Sequence, residues 1–83
     1  MKKEEITKKV RETVKFYFGE FYGEIFLGEF NFAEEEKALI KELVEDADFE
    51  PSDAKEIAAE TRLRLETFAT RLREAKAEAL QKK

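Results

Sequence analysis

Apolar residues at the start of the chain are spaced for a helix. Ile6 and Val10 stand four apart among lysines and glutamates, which predicts a short amphipathic helix over about residues 3–12. The pattern then changes. Eight of the ten aromatic residues fall between Phe16 and Phe32, broken only by Gly-Glu dipeptides and a few other residues. Gly-Glu suits a two-residue hairpin loop, because Gly at its first position fits a type II′ turn. Turns at Gly19-Glu20 and Gly28-Glu29 give a three-stranded antiparallel β-meander with strands over 13–18, 21–27 and 30–32. Alternation along these strands gathers Val14, Phe16, Phe18, Phe21, Gly23, Ile25, Leu27, Phe30 and Phe32 on one wholly apolar face. Thr13, Lys15, Tyr17, Tyr22, Glu24, Phe26 and Asn31 share the other face, with Lys15 opposite Glu24.

The same segment admits a helix. Ile6, Val10, Val14, Tyr17, Phe18, Phe21 and Ile25 would then form one stripe, leaving Phe16, Phe26, Leu27 and Phe30 off it. Gly19 and Gly23 would be interior helix glycines, each costing about 1 kcal/mol relative to Ala. The meander is preferred because it sorts apolar from charged side chains and because aromatics favour strands.

After the aromatic segment the period is helical again. Asn31 followed by Glu34 is a capping-box signature, and Leu39, Ile40, Leu43, Val44 and Ala47 form one face of a helix over about 33–46. Pro51 and the cap candidate Ser52 open a last helix over about 53–80. Its seam runs Ala54, Ile57 or Ala58, Thr61, Leu65, Phe68, Leu72, Ala75 and Ala79, in steps of three and four. The expected fold class is therefore α+β, a single domain over 1–83 of order α-β-β-β-α-α with both later helices on one sheet face. A three-stranded sheet is only about 20 Å along its strands, and the last helix would be about 42 Å long. Its excess length suggests packing on the first helix or a frayed end, with a homodimer through the C-terminal helix as the alternative.

Composition narrows the chemistry. The 83 residues contain no Cys and no His. Disulfide, thiolate, zinc and copper chemistry, and the usual neutral-pH base, are thereby set aside. Ser52 is the single serine, and no cofactor is expected. Glu45-Asp46-Ala47-Asp48 lacks the Gly and the spacing of a calcium loop. The chain is accordingly read as non-enzymatic. No apolar run reaches the ~20 residues of a membrane span, and Met1–Val10 lacks the apolar core of a signal peptide; a cytoplasmic setting is expected. Net charge is −4. The acidity is concentrated in residues 33–50, with eight acids and two bases, between mildly basic ends. That distribution argues against a nucleic-acid partner.

Two surfaces are candidates for interaction. Tyr17, Tyr22 and Phe26 would form a ring strip on the outer face of the sheet. Glu34, Glu35, Glu42, Glu45, Asp46 and Asp48 would present carboxylates along the acidic helix. A third possibility is an apolar pocket beneath a sheet bent at Gly23. The order of elements resembles double-stranded-RNA-binding domains, but Glu34-Glu35-Glu36 stands where those carry phosphate-binding bases. Phe26 onward loosely resembles ribbon-helix-helix repressors without their DNA-facing basic strand. In style, the whole chain resembles de novo designed proteins: short Gly-Glu loops, two-faced patterning, capped helices, no Cys, His or Trp, and 43% charged residues. That resemblance implies a scaffold made in a recombinant host cytosol, with no required partner. The alternative is a small acidic inhibitor of phage type, a nucleic-acid mimic that would offer 34–50 to a basic protein.

Overall fold

A computed structural model describes residues 3–81 and shows three helices: α1 (Lys3–Leu27), α2 (Phe32–Glu45) and α3 (Pro51–Gln81). No strand occurs among the described residues. The α+β class and the β-meander are therefore incorrect. Residues 13–18 and 21–27 belong to α1, and 30–32 comprise loop and the first residue of α2. The pocket under a bent sheet disappears with the sheet.

The physical reason lies in continuity. Nothing between Glu12 and Thr13 stops a helix, and extending one adds a hydrogen bond per residue where ending one strands four carbonyls. Thr13 accommodates this by donating its hydroxyl to the Lys9 carbonyl at 2.7 Å. The two interior glycines cost about 2 kcal/mol together, comparable with the 1.5–3 kcal/mol or so gained by burying one large apolar side chain. Val10, Tyr17 and Ile25 are all buried along the resulting stripe, and Ile6, Val14, Phe18 and Phe21 pack against the core. The meander also asked Asn31 to pair in a strand and to cap a helix at once. It does the second: the Asn31 side-chain oxygen accepts from the Glu34 backbone N–H at 3.1 Å.

α1 is not straight. Phe21 leaves the helical region (φ −124°, ψ 19°), between Gly19 and Gly23, where weak helix propensity localises a bend. Of the Gly-Glu pairs, Gly28-Glu29 does reverse the chain, but as a helix cap. Gly28 takes φ 78°. The Gly28 N–H donates to the Ile25 carbonyl and the Glu29 N–H to the Glu24 carbonyl, at 3.2 and 2.9 Å, which is the Schellman pattern. At the far end of α2, Asp48 takes φ 58°, which Asp tolerates better than most residues. The Phe49 N–H then reaches back to the Leu43 carbonyl at 2.9 Å. α3 opens on Pro51, ahead of the start suggested by Ser52, with the Ala54 N–H donating to the Glu50 carbonyl at 2.9 Å; Pro is well suited to a first helical position.

α3 is the spine. At ~1.5 Å per residue its 31 residues run about 46 Å, most of the molecule's 51 Å long axis. α1 and α2 both pack on it, while their own backbones nowhere come within 8 Å, Cα to Cα, of each other. Loops 28–31 and 46–50 are short, so consecutive helices are antiparallel and α1 runs parallel to α3. The register confirms this: Phe18 meets Phe68 with ring centroids 4.5 Å apart, and Lys76 sits 5.3 Å over the Phe26 ring. Ala54, Ile57, Ala58, Thr61, Leu65 and Ala69 are the buried stripe of α3.

Gly19 and Gly23 are exposed, and a Cβ at either would meet nothing within 4 Å. Gly19→Ala and Gly23→Ala should each stabilise the fold by about 0.4–1 kcal/mol, raising the thermal midpoint by several degrees. A drop in the midpoint of either variant would show that the Phe21 bend needs the glycines.

Candidate functional site

α1 presents unlike faces to its two sides, and the sequence-predicted residues divide between them. On one side lies the groove left where α1 and α2 stay apart. Thr13 and Tyr17 of α1 and Leu39 and Leu43 of α2 line it, with Phe16 beside them, and its volume is about 360 Å³. Lys9, Glu12, Glu42 and Asp46 also border it. Each wall uses positions four and seven or eight apart, which share one helix face. Tyr17 is buried here, 6% exposed. Its phenol donates to Glu35 Oε2 across a long 3.4 Å. Burial first, then the negative charges of Glu35 and Glu42, push its pKa from 10.0 up to about 12.

Next to this groove, Arg62 ties α2 to α3. Its Nη1 donates to Glu36 Oε1 at 2.8 Å and its Nε to Glu66 Oε1 at 2.6 Å. Being partly exposed, both pairs add little stability; the Glu36 pair links α2 to α3, and the Glu66 pair lies within α3. Beneath them a cavity of about 10 Å³ is bordered by Thr61, whose hydroxyl is fully buried without a hydrogen-bond partner.

On the other side, α1 and α3 meet in a seam of rings. Phe18 packs on Phe68, Phe68 lies 6.4 Å from Tyr22, and Tyr22 stacks on Phe26 at 6.3 Å with an interplanar angle of 13°. Lys76 covers Phe26, a cation–π contact. Leu63, Arg64, Thr67 and Arg71 extend the seam along α3 around a recess of about 440 Å³ that Glu60 also borders. Leu63 is 59% and Tyr22 47% exposed.

The expected strip of Tyr17, Tyr22 and Phe26 therefore does not exist as one surface. At 100° per residue, Tyr17 and Tyr22 diverge by about 140° around α1; Tyr17 goes inward toward α2, and Tyr22 and Phe26 go to the α3 seam. Of the acidic set, Glu42 and Asp46 border the groove and Glu35 reaches its Tyr17 floor, whereas Glu34, Glu45 and Asp48 are simply exposed. No group of three or more His, Cys, Asp or Glu among the described residues is placed to hold a metal ion. Sequence reasoning missed Phe16 as part of the groove, and Phe68, Arg64, Arg71 and Lys76 as a patch with Tyr22. Leu63, an apolar residue off the Ala54–Ala79 stripe of the last helix, is the one signal in the sequence that points there.

The raised Tyr17 pKa links stability to alkaline pH. The folded state holds the proton more tightly than the unfolded chain, so this contribution is complete below pH 10 and is lost as pH rises through about 12. In a Tyr22→Phe background, denaturant midpoints should fall across that window, and the added Tyr17→Phe should abolish this part of the fall. A lone phenol titrating near 10 in the folded protein would contradict it. Thr61→Val replaces the unpartnered hydroxyl by a methyl of similar shape and should stabilise the chain by about 1 kcal/mol in chemical denaturation; a loss of stability would mean that the hydroxyl is satisfied in solution.

No helix of the described residues is long and apolar enough to cross a membrane. Comparison with protein-family models, with curated proteins and with solved structures finds no match.

Proposed function

We propose that the chain is a non-enzymatic structural scaffold, of the designed type its sequence resembles, and that it associates with a second copy through its C-terminal helix. The observation that carries this reading is the α1/α3 seam. Leu63 projects from α3 on the side away from α2, beside Phe68 and the recess shared with Phe18. Exposed apolar surface continuous with a packed aromatic row is the usual mark of an interface. The polar contacts also support a structural role. Tyr17–Glu35 and Arg62–Glu36 join helix to helix, and Thr13, Thr67 and Thr70 bond back to their own helices. Short loops and capped termini support the designed type, and a chain without Cys suits a reducing cytosol.

The acidic-inhibitor reading has less support. Glu35 and Glu36 are engaged within the molecule, and the exposed positions of α2 mix Lys37 and Lys41 with Glu34 and Glu45.

Sedimentation equilibrium tests self-association. The average mass should rise above the 9.7 kDa of one chain as concentration increases toward about 1 mM, the range of a Kd worth roughly −4 to −5 kcal/mol. Leu63→Asp should keep the helical circular dichroism and lower the association constant at least about tenfold, or 1.4 kcal/mol. A wild-type chain that stays at the monomer mass throughout would refute the reading.

A further inference from the structure

We propose that the receiving surface for this seam is the groove between α1 and α2 of another copy, so that copies join front to back in an open chain. The inference rests on the self-association proposed above and specifies its geometry.

Charge selects the pairing. The groove is bordered by Glu12, Glu42 and Asp46 against the single cation Lys9. The recess of the seam is bordered by Arg64 and Arg71 with Glu60 among the described residues, and Lys76 stands farther along over Phe26. Seam on seam would set a net positive face against its like, and groove on groove a net negative one, and like charges across an interface oppose association. Groove on seam alone pairs opposite signs.

Shape agrees with charge. Each face combines a recess with a projecting apolar side chain. Phe16, 58% exposed, stands at the groove; Leu63, 59% exposed, stands at the seam. In the front-to-back arrangement Leu63 of one copy enters the groove over Leu39 and Leu43. Phe16 of the other enters the recess beside the packed Phe18 and Phe68 rings. Two different patches then meet, which makes the interface heterologous. Unless its rotation closes a ring, such an interface repeats without limit.

Two variants that each disable one face separate this arrangement from a two-fold dimer. Leu63→Asp disables the seam by placing a carboxylate against the acidic groove. Glu42→Lys with Asp46→Lys disables the groove by placing cations against the basic seam; both sites are exposed, and Lys near a helix C-terminus is compatible with folding. Each variant alone, checked for wild-type circular dichroism, should sediment at 9.7 kDa. An equimolar mixture should form a species of twice that mass and nothing larger, because one intact groove and one intact seam remain. Wild-type association should weaken at least tenfold between about 0.05 and 0.5 M NaCl as screening shortens. Undiminished self-association of the groove variant would overturn the front-to-back geometry and leave scaffold association standing. A mixture that stays monomeric would also overturn it. A monomeric wild type would remove both proposals.

Discussion

The fold depends on one stripe of α3 that serves two helices at once. Ala54, Ile57, Ala58, Thr61, Leu65 and Ala69 are each at most 3% exposed, and half of them are small. Small side chains let two helix surfaces approach the same axis, and packing at native density makes such positions intolerant of added or lost volume. Because α1 and α2 do not approach each other's backbones, neither can compensate for a lost contact to α3. The groove between them follows from the same fact, being the space that two helices leave when each is seated on a third.

The α2 and α3 regions were legible because their signals are local. Asn31 and Glu34 are three apart and meet as a cap, and the buried Leu39 and Leu43 are four apart on one face. The aromatic segment was not legible in the same way. Between Phe16 and Phe32 apolar residues are so dense that a period of 2 and a period of 3.6 both find matches, and pattern alone cannot choose between them. Gly-Glu occurs at 19–20, 23–24 and 28–29; the first and last copies read as hairpin corners and the middle one as part of the central strand. What distinguishes them is where the stripe ends. Ile25 is the last buried residue of α1, so only the glycine that follows it is free to take a positive φ and terminate the helix. The continuous stripe from Ile6 to Ile25 held that information, and strand propensity outweighed it wrongly.

The candidate surfaces were legible only in part, for a geometrical reason. Glu35, Glu42 and Asp46 lie seven and four apart, so one helix face collects them whatever the remaining chain does. Tyr22, Phe26 and Phe68 come from two helices. Their meeting requires α1 and α3 to run parallel at one particular register, with Phe18 level with Phe68 and Phe26 level with Lys76. That register is fixed by two loops and the length of α2, which no local pattern encodes.

Rings beyond those the core can bury are the unusual property of α1. One helix face needs only a narrow arc of apolar residues, and Val10, Tyr17 and Ile25 with their half-buried neighbours fill it. Phe16, Tyr22 and Leu27 lie outside that arc and stay exposed. The exposed Gly19 and Gly23, which no packing contact requires, lie among them. Surface apolar groups that cost solubility are retained where something covers them. Under the self-association proposed above, the rings that α1 displays on both flanks, one bordered by carboxylates and the other by guanidinium and ammonium groups, are the surfaces its two neighbours would cover.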